Sequence, residues 1–199
     1  MKHRIYRGTF EIPDERDFLT KIREISESSS VFIVFFDKNA IAGCDHIRAA
    51  LSFAERSFFE YRNPVSKFFE MEVLLYAFGT RQTGFASGFG IHRGHNDSLI
   101  LICRKDEESE ESALKAKELF DSSAAGVIFE IAGLDECTGN EIQILTKDSC
   151  LVISTERSDS DISRLAKIFD ITTDEIEICG KDRLEELVIE RCALLDVNR

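Results

Sequence analysis

The chain reads as an α/β (α+β) protein: a mixed β-sheet flanked by helices, in a single compact domain with an extra strand-rich insertion. Three observations predict this. Arg4 to Ile12 alternates polar and apolar residues, the period of a half-buried strand. Two runs, VFIVFF (Val31 to Phe36) and SLILIC (Ser98 to Cys103), are apolar without interruption, as strands covered on both faces are. Between and after them lie segments whose apolar residues recur at helical spacing.

Taken in order, Tyr6, Phe10 and Ile12 share one face of the first strand, with Arg7, Thr9 and Glu11 on the other. Pro13, Asp14 and Glu15 open a helix, because proline presets φ and carboxylates complement the positive end of the helix dipole. Phe18, Leu19, Ile22 and Ile25 form its stripe, and Ser28-Ser29-Ser30 ends it. After VFIVFF and a turn at Asp37-Lys38-Asn39, Asp45 is the expected N-cap of a helix carrying Ile47, Leu51, Ala54 and Phe58. The next helix is expected from Pro64, burying Val65, Phe68, Phe69, Leu75, Tyr76 and Phe78, and stopped by Gly79. Gln82 to Phe89 reads as a short helix before SLILIC.

Beyond it, the acidic run Asp106 to Glu111 reads as a solvated loop leading to a helix with Leu114, Leu119 and Phe120. Val127 to Ile131, Ile142 to Leu145 and Cys150 to Ser154 read as strands, with turns at Gly133, Gly139 and Asn140. Asp161 to Phe169 and Asp182 to Arg191 read as helices, and Ala193 to Val197 as a closing strand. The 199 residues suit one domain, 1–199.

Composition narrows the function. With 43% hydrophobic residues and 16 phenylalanines, a sizeable core forms and disorder is excluded. No apolar run approaches the roughly 20 residues of a membrane span, and MKHRIYRGTFEIPDE holds no signal-like apolar block. A cytoplasmic protein without membrane contact is expected. The six cysteines form no CxxC pair, so a zinc ribbon or thioredoxin-type site is excluded and buried, reduced thiols are expected. A net charge of −12 opposes bulk affinity for nucleic acid. The charge is uneven, however. Between Asp37 and Lys105 nine basic residues face seven acidic ones, so one region can meet an anion that the rest repels.

Candidate chemistry concentrates in GTRQTGFASGFGIHRG, from Gly79 to Gly94. Gly88 to Gly94 lacks the spacing, and the strand-then-helix setting, of a dinucleotide fingerprint. His92 and His95 give two imidazoles three residues apart with no third ligand nearby. A metal-dependent hydrolase would need one. Ser87 lacks the setting of a nucleophile elbow. Glu70 and Glu72 stand two apart on a helix and point to different sides, Glu70 being the more interesting of the two. No catalytic constellation emerges, no cofactor is expected, and a binding protein is the outcome.

FFEMEVLLYAFGTRQTGFASGFGI resembles the signature of the small kinase-binding subunit of the KEOPS (EKC) complex, the CGI-type or TPRKB family, in its archaeal-like form. The matching residues are Glu72-Val-Leu74-Leu75-Tyr76, Gly79-Thr80-Arg81-Gln82 and Gly90-Ile91. HIRAALSF from His46, FDIT from Phe169 and LEELVIERCALLDV from Leu184 fit the same family. Residues 126–154 depart from it as an insertion. The resemblance implies a non-enzymatic subunit that binds the complex's small atypical kinase. That machine makes threonylcarbamoyladenosine (t6A) in tRNA, and archaeal members are implicated in holding the 3′ CCA end.

On that reading Lys67, Arg81, Gln82, His92 and Arg93 supply polar contacts to tRNA and Phe85 or Phe89 stacks a base. Leu187, Val188, Leu194 and Leu195 face the kinase. The alternative is a small-ligand or nucleotide-binding domain using the Gly84–Gly94 loop.

Overall fold

The computed structural model describes residues 1–105, 141–144 (backbone only) and 157–197. The expected features at residues 106–140 and 145–156 lie outside these. They include the Asp106–Glu111 loop, the helix with Leu114, Leu119 and Phe120, the strands at 127–131 and 150–154, and the turns at Gly133, Gly139 and Asn140. The α/β class holds. Contacts gather into two compact units, Met1–Asp37 with Gly90–Leu145, and Lys38–Phe89 with Thr146–Arg199.

The first unit is a four-stranded sheet in the order β2-β3-β1-β4, with β1 at His3–Ile12, β2 at Val31–Asp37, β3 at Gly94–Arg104 and β4 at Glu141–Ile144. β3 pairs antiparallel with both neighbours, Tyr6 opposite Ile100 and Phe35 opposite Ile100 on the other side. β1 and β2 therefore run in the same direction with β3 inserted between them, a split βαβ unit closed by helix α1 (Glu15–Ser28). β4 adds an antiparallel edge, Tyr6 opposite Ile144.

The strand alternation does what its period requires. Tyr6, Phe10 and Ile12, with Ile33, Phe35, Ile100 and Ile102, form one buried face against Phe18, Ile22 and Ile25 of α1. Phe10, Phe18 and Phe35 meet ring to ring, centroids 5.5–6.0 Å apart. Asp14 caps α1 through its side chain, accepting from the N–H groups of Arg16 and Asp17. Leu19, expected on the buried stripe, is half exposed.

The second unit is helical. It comprises α2 (Cys44–Glu55), a π-helical turn (Arg56–Glu60), α3 (Phe69–Ala77), α4 (Thr83–Ser87), α5 (Asp159–Ile168), α6 (Thr173–Cys179) and α7 (Leu184–Val197). α2, α3 and α7 pack on one another through Ile47, Leu51, Val73, Leu75, Val188 and Cys192, all buried. No helix of the described residues is long and apolar enough to cross a membrane.

Four local expectations are corrected here. Gly43, not Asp45, is the N-cap residue of α2, without a side-chain cap bond. The cap arrives from elsewhere, as the Glu185 carboxylate accepting from His46 N–H at 2.9 Å. α3 begins at Phe69, five residues after Pro64, because backbone N–H groups of Val65 and Ser66 bond a side chain instead of a helical turn. Ala193 to Val197 continues α7, since Leu184, Leu187, Val188, Cys192 and Leu195 keep helical spacing on one buried face. A short apolar run does not by itself distinguish strand from helix. Finally, Cys44 is disulfide-bonded, while Cys103, Cys179 and Cys192 are free. Separation along a chain says nothing of separation in space.

Gly79 ends α3 as expected. It adopts φ 55°, and a Cβ there would stand 3.1 Å from the Arg191 carbonyl oxygen of α7, so glycine serves both conformation and close approach.

Candidate functional site

The interior of the helical unit holds a polar cluster that invites a catalytic reading and refuses it. His46 is fully buried. Ala42 N–H donates to its Nδ1 at 3.1 Å, so the proton sits on Nε2 and is given to the Ala77 carbonyl at 2.7 Å. Cys192 Sγ lies 3.5 Å from Nε2 and donates to the same carbonyl at 3.3 Å. A thiol is activated by a free imidazole lone pair, and here the facing nitrogen carries a proton. Burial pushes the Cys192 thiol up to about 12 and pulls His46 down to about 4. The pair is a neutral, structural tie between α2, α3 and α7.

The second buried group is Glu72, fully buried in the E-x-L-L-Y stretch. One of its oxygens accepts from Ser57 Oγ (2.7 Å) and Val65 N–H (3.2 Å), and the other from Ser66 N–H (2.8 Å). The carboxylate thus folds residues 61–68 over the start of α3. The residue singled out from sequence, Glu70, is half-buried instead. Its alternation with Glu72 was legible, but which of the two faces inward was not.

At the other end of α3 stand the residues of G-T-R-Q. Arg81, Gln82 and Phe85 are exposed, as is Lys67. Thr80 Oγ1 accepts from Gln82 N–H, and the Gln82 carbonyl accepts from Phe85 and Ala86 N–H at 3.0 Å, opening α4. Phe85 is the outer end of a row of rings. It meets Phe89 edge-on (5.1 Å), Phe89 stacks on Phe78 (4.3 Å), Phe78 on Phe169 (6.1 Å), and Phe169 meets His46 (5.4 Å). Nothing lies within 4 Å of a Cβ placed on Gly84, so packing does not demand that glycine.

Lys67, Arg81, Gln82 and Phe85 belong to the helical unit, whereas His92 and Arg93 belong to the sheet unit. His92 and Arg93 are exposed in a turn pinned by buried Asn96. Its amide accepts from His92 N–H and donates to the carbonyls of His92 and Gly94. Arg93 N–H donates to Glu15 at 2.7 Å, and the Arg93 charge helps hold the Asp14 carboxyl below its usual range, after the helix N–H bonds. Acidic neighbours thus weaken Arg93 as a phosphate contact. His95 pairs with Glu11 at 3.2 Å. No group of three or more metal-binding side chains occurs among the described residues.

The four residues assigned to a kinase surface separate. Leu187, Val188 and Leu195 are core, at 7%, 0% and 5% exposure, so no partner reaches Val188 without unfolding α7. Leu194 is exposed, and with it Val197 and Ile178, which sequence reasoning missed. The signal was available, because Leu194 and Val197 share one helical face once α7 is continued through Val197. Tyr76 OH donates to Asp196 and fixes this end of α7.

No protein-family model matches the chain, and no curated protein does.

Proposed function

We propose that this chain is a non-catalytic, cytoplasmic subunit of a KEOPS-type complex. In this reading it binds the complex's small atypical kinase and helps hold the 3′ CCA end of tRNA for t6A modification. The observation that carries the reading is the row of rings ending at exposed Phe85, beside Arg81 and Gln82 in the G-T-R-Q stretch of the family resemblance. A flat ring stacks any base, and a guanidinium answers its phosphate. The row buttresses Phe85 from behind, so its ring is presented with little entropy left to lose on binding.

Kinase docking falls to Leu194, Val197 and Ile178 rather than to the buried leucines. Labelled tRNA, intact or lacking CCA, is titrated against wild type and Arg81→Ala/Phe85→Ala. CCA-dependent, salt-sensitive binding that the variant loses by about tenfold or more supports the reading. Equal binding of both tRNAs, or none at low salt, removes tRNA capture. For the kinase, Leu194→Asp/Val197→Asp is expected to abolish co-purification with the kinase while leaving tRNA binding unchanged. Unchanged co-purification removes that surface.

A further inference from the structure

Eight large hydrophobic side chains are exposed among the described residues, and chemistry divides them. The four aliphatic ones lie on α1, α6 and α7 (Leu19, Ile178, Leu194, Val197). The four aromatic ones all flank α3. Phe85 follows it. Phe59, Tyr61 and Phe68 precede it, at 41%, 60% and 61% exposure.

The segment before α3 is built to show those rings. Arg56–Glu60 is a π-helical turn, a form frequent at functional sites. Phe58, Phe59 and buried Phe69 form a mutual cluster with centroids 5.1–5.6 Å apart, so Phe59 stands on a packed base. Arg62 holds a left-handed φ of 51°, a conformation a non-glycine residue keeps only when its surroundings impose it. Glu72 clamps the following turn from beneath, and Ser66 Oγ accepts from Phe68 N–H at 3.1 Å. Exposed Arg62 and Lys67 stand among the exposed rings, with Glu60 the one exposed acid from Arg56 to Phe68.

We infer that Phe59, Tyr61 and Phe68, with Arg62 and Lys67, form a second contact for single-stranded RNA at the amino end of α3. This deepens, and rests on, the tRNA reading above. Flat rings interleaved with cations, in a chain of net charge −12, match a stacked polyanion. An aliphatic protein partner instead fits the other exposed set. The nine residues of α3 span about 13 Å, or about four stacked nucleotides. On this inference the strand beyond CCA meets the Tyr61 end.

The test is fluorescence anisotropy with a CCA trinucleotide and a single-stranded RNA of about eight nucleotides ending in CCA. The proteins are wild type, Tyr61→Ala/Phe68→Ala and Arg81→Ala/Phe85→Ala, with circular dichroism confirming the fold of each. The longer RNA is expected to bind about tenfold or more tightly than the trimer, an advantage that Tyr61→Ala/Phe68→Ala removes without weakening the trimer. If that variant keeps the advantage while Arg81→Ala/Phe85→Ala weakens both RNAs, this inference is overturned and the CCA reading stands. If the Tyr61/Phe68 variant keeps RNA binding but loses the kinase, the surface is a protein-docking one and the inference is likewise overturned. If no variant or wild type binds either RNA, the tRNA reading falls and takes this inference with it.

Discussion

Replacing Glu72 tests whether a buried carboxylate shapes the segment before α3. Glu72→Gln keeps one acceptor oxygen for Ser57 and Val65 but sets an amide N–H against Ser66 N–H, two donors face to face. The bond from Ser66 is lost and its N–H stranded, while the bonds from Ser57 and Val65 survive without charge, a cost of about 2 kcal/mol. Glu72→Ala removes the acceptor for all three donors and opens a void. The expected cost is about 4 kcal/mol, a large part of the stability of an ordinary domain. Urea unfolding followed by far-UV circular dichroism should rank wild type above Gln and Gln above Ala.

Chymotrypsin supplies an independent readout, because Phe59, Tyr61 and Phe68 are exposed and cleavage there should accelerate as the segment is released. Glu72→Ala within about 1 kcal/mol of wild type, with unchanged cleavage, would refute the reasoning. Water would then be serving those donors as well as the carboxylate does.

Other outcomes follow from single groups. His46 is held near pKa 4, below its ordinary 6.5, by burial. The unfolded chain therefore binds the extra proton first, and stability present above pH 6.5 is lost as pH falls toward 4, by about 3 kcal/mol in all. Urea midpoints between pH 7 and 4.5 check this, and His46→Gln should flatten that part of the profile. Glu175 runs lower still, to about 2, through the Thr172 backbone bond, Arg191 and the Thr172 hydroxyl, so its contribution is complete above pH 4.5 and disappears only below that. Among the free thiols of the described residues, half-buried Cys179 should alkylate first and Cys192, raised to about 12, last. Peptide mapping after timed iodoacetamide exposure reads the order, and early labelling of Cys192 contradicts its burial. Gly79→Ala should cost about 1–2 kcal/mol by thermal unfolding, from φ 55° and the contact with the Arg191 carbonyl.

What the residues determine by themselves is what depends on near neighbours. Alternation from Tyr6 to Ile12, the apolar runs of β2 and β3, a helix start beside Asp14 and Glu15 and the Gly79 stop all appear in the structure, because side-chain period and φ preference are local properties. Arg81, Gln82 and Phe85, named as contacts on the family resemblance, are exposed. Tertiary structure decided the rest. Glu70 and Glu72 are alike in sequence, and the Ser57 hydroxyl with the amides of Val65 and Ser66 picks out Glu72. Leu194 and Leu195 are adjacent and identical, yet one packs against the core while the other faces outward, once Ala193 to Val197 is helix. The cap of α2 comes from Glu185, 139 residues away, and Tyr76 bonds Asp196 at a separation of 120. Such partners are chosen by how elements pack. No window of sequence contains both halves of the bond.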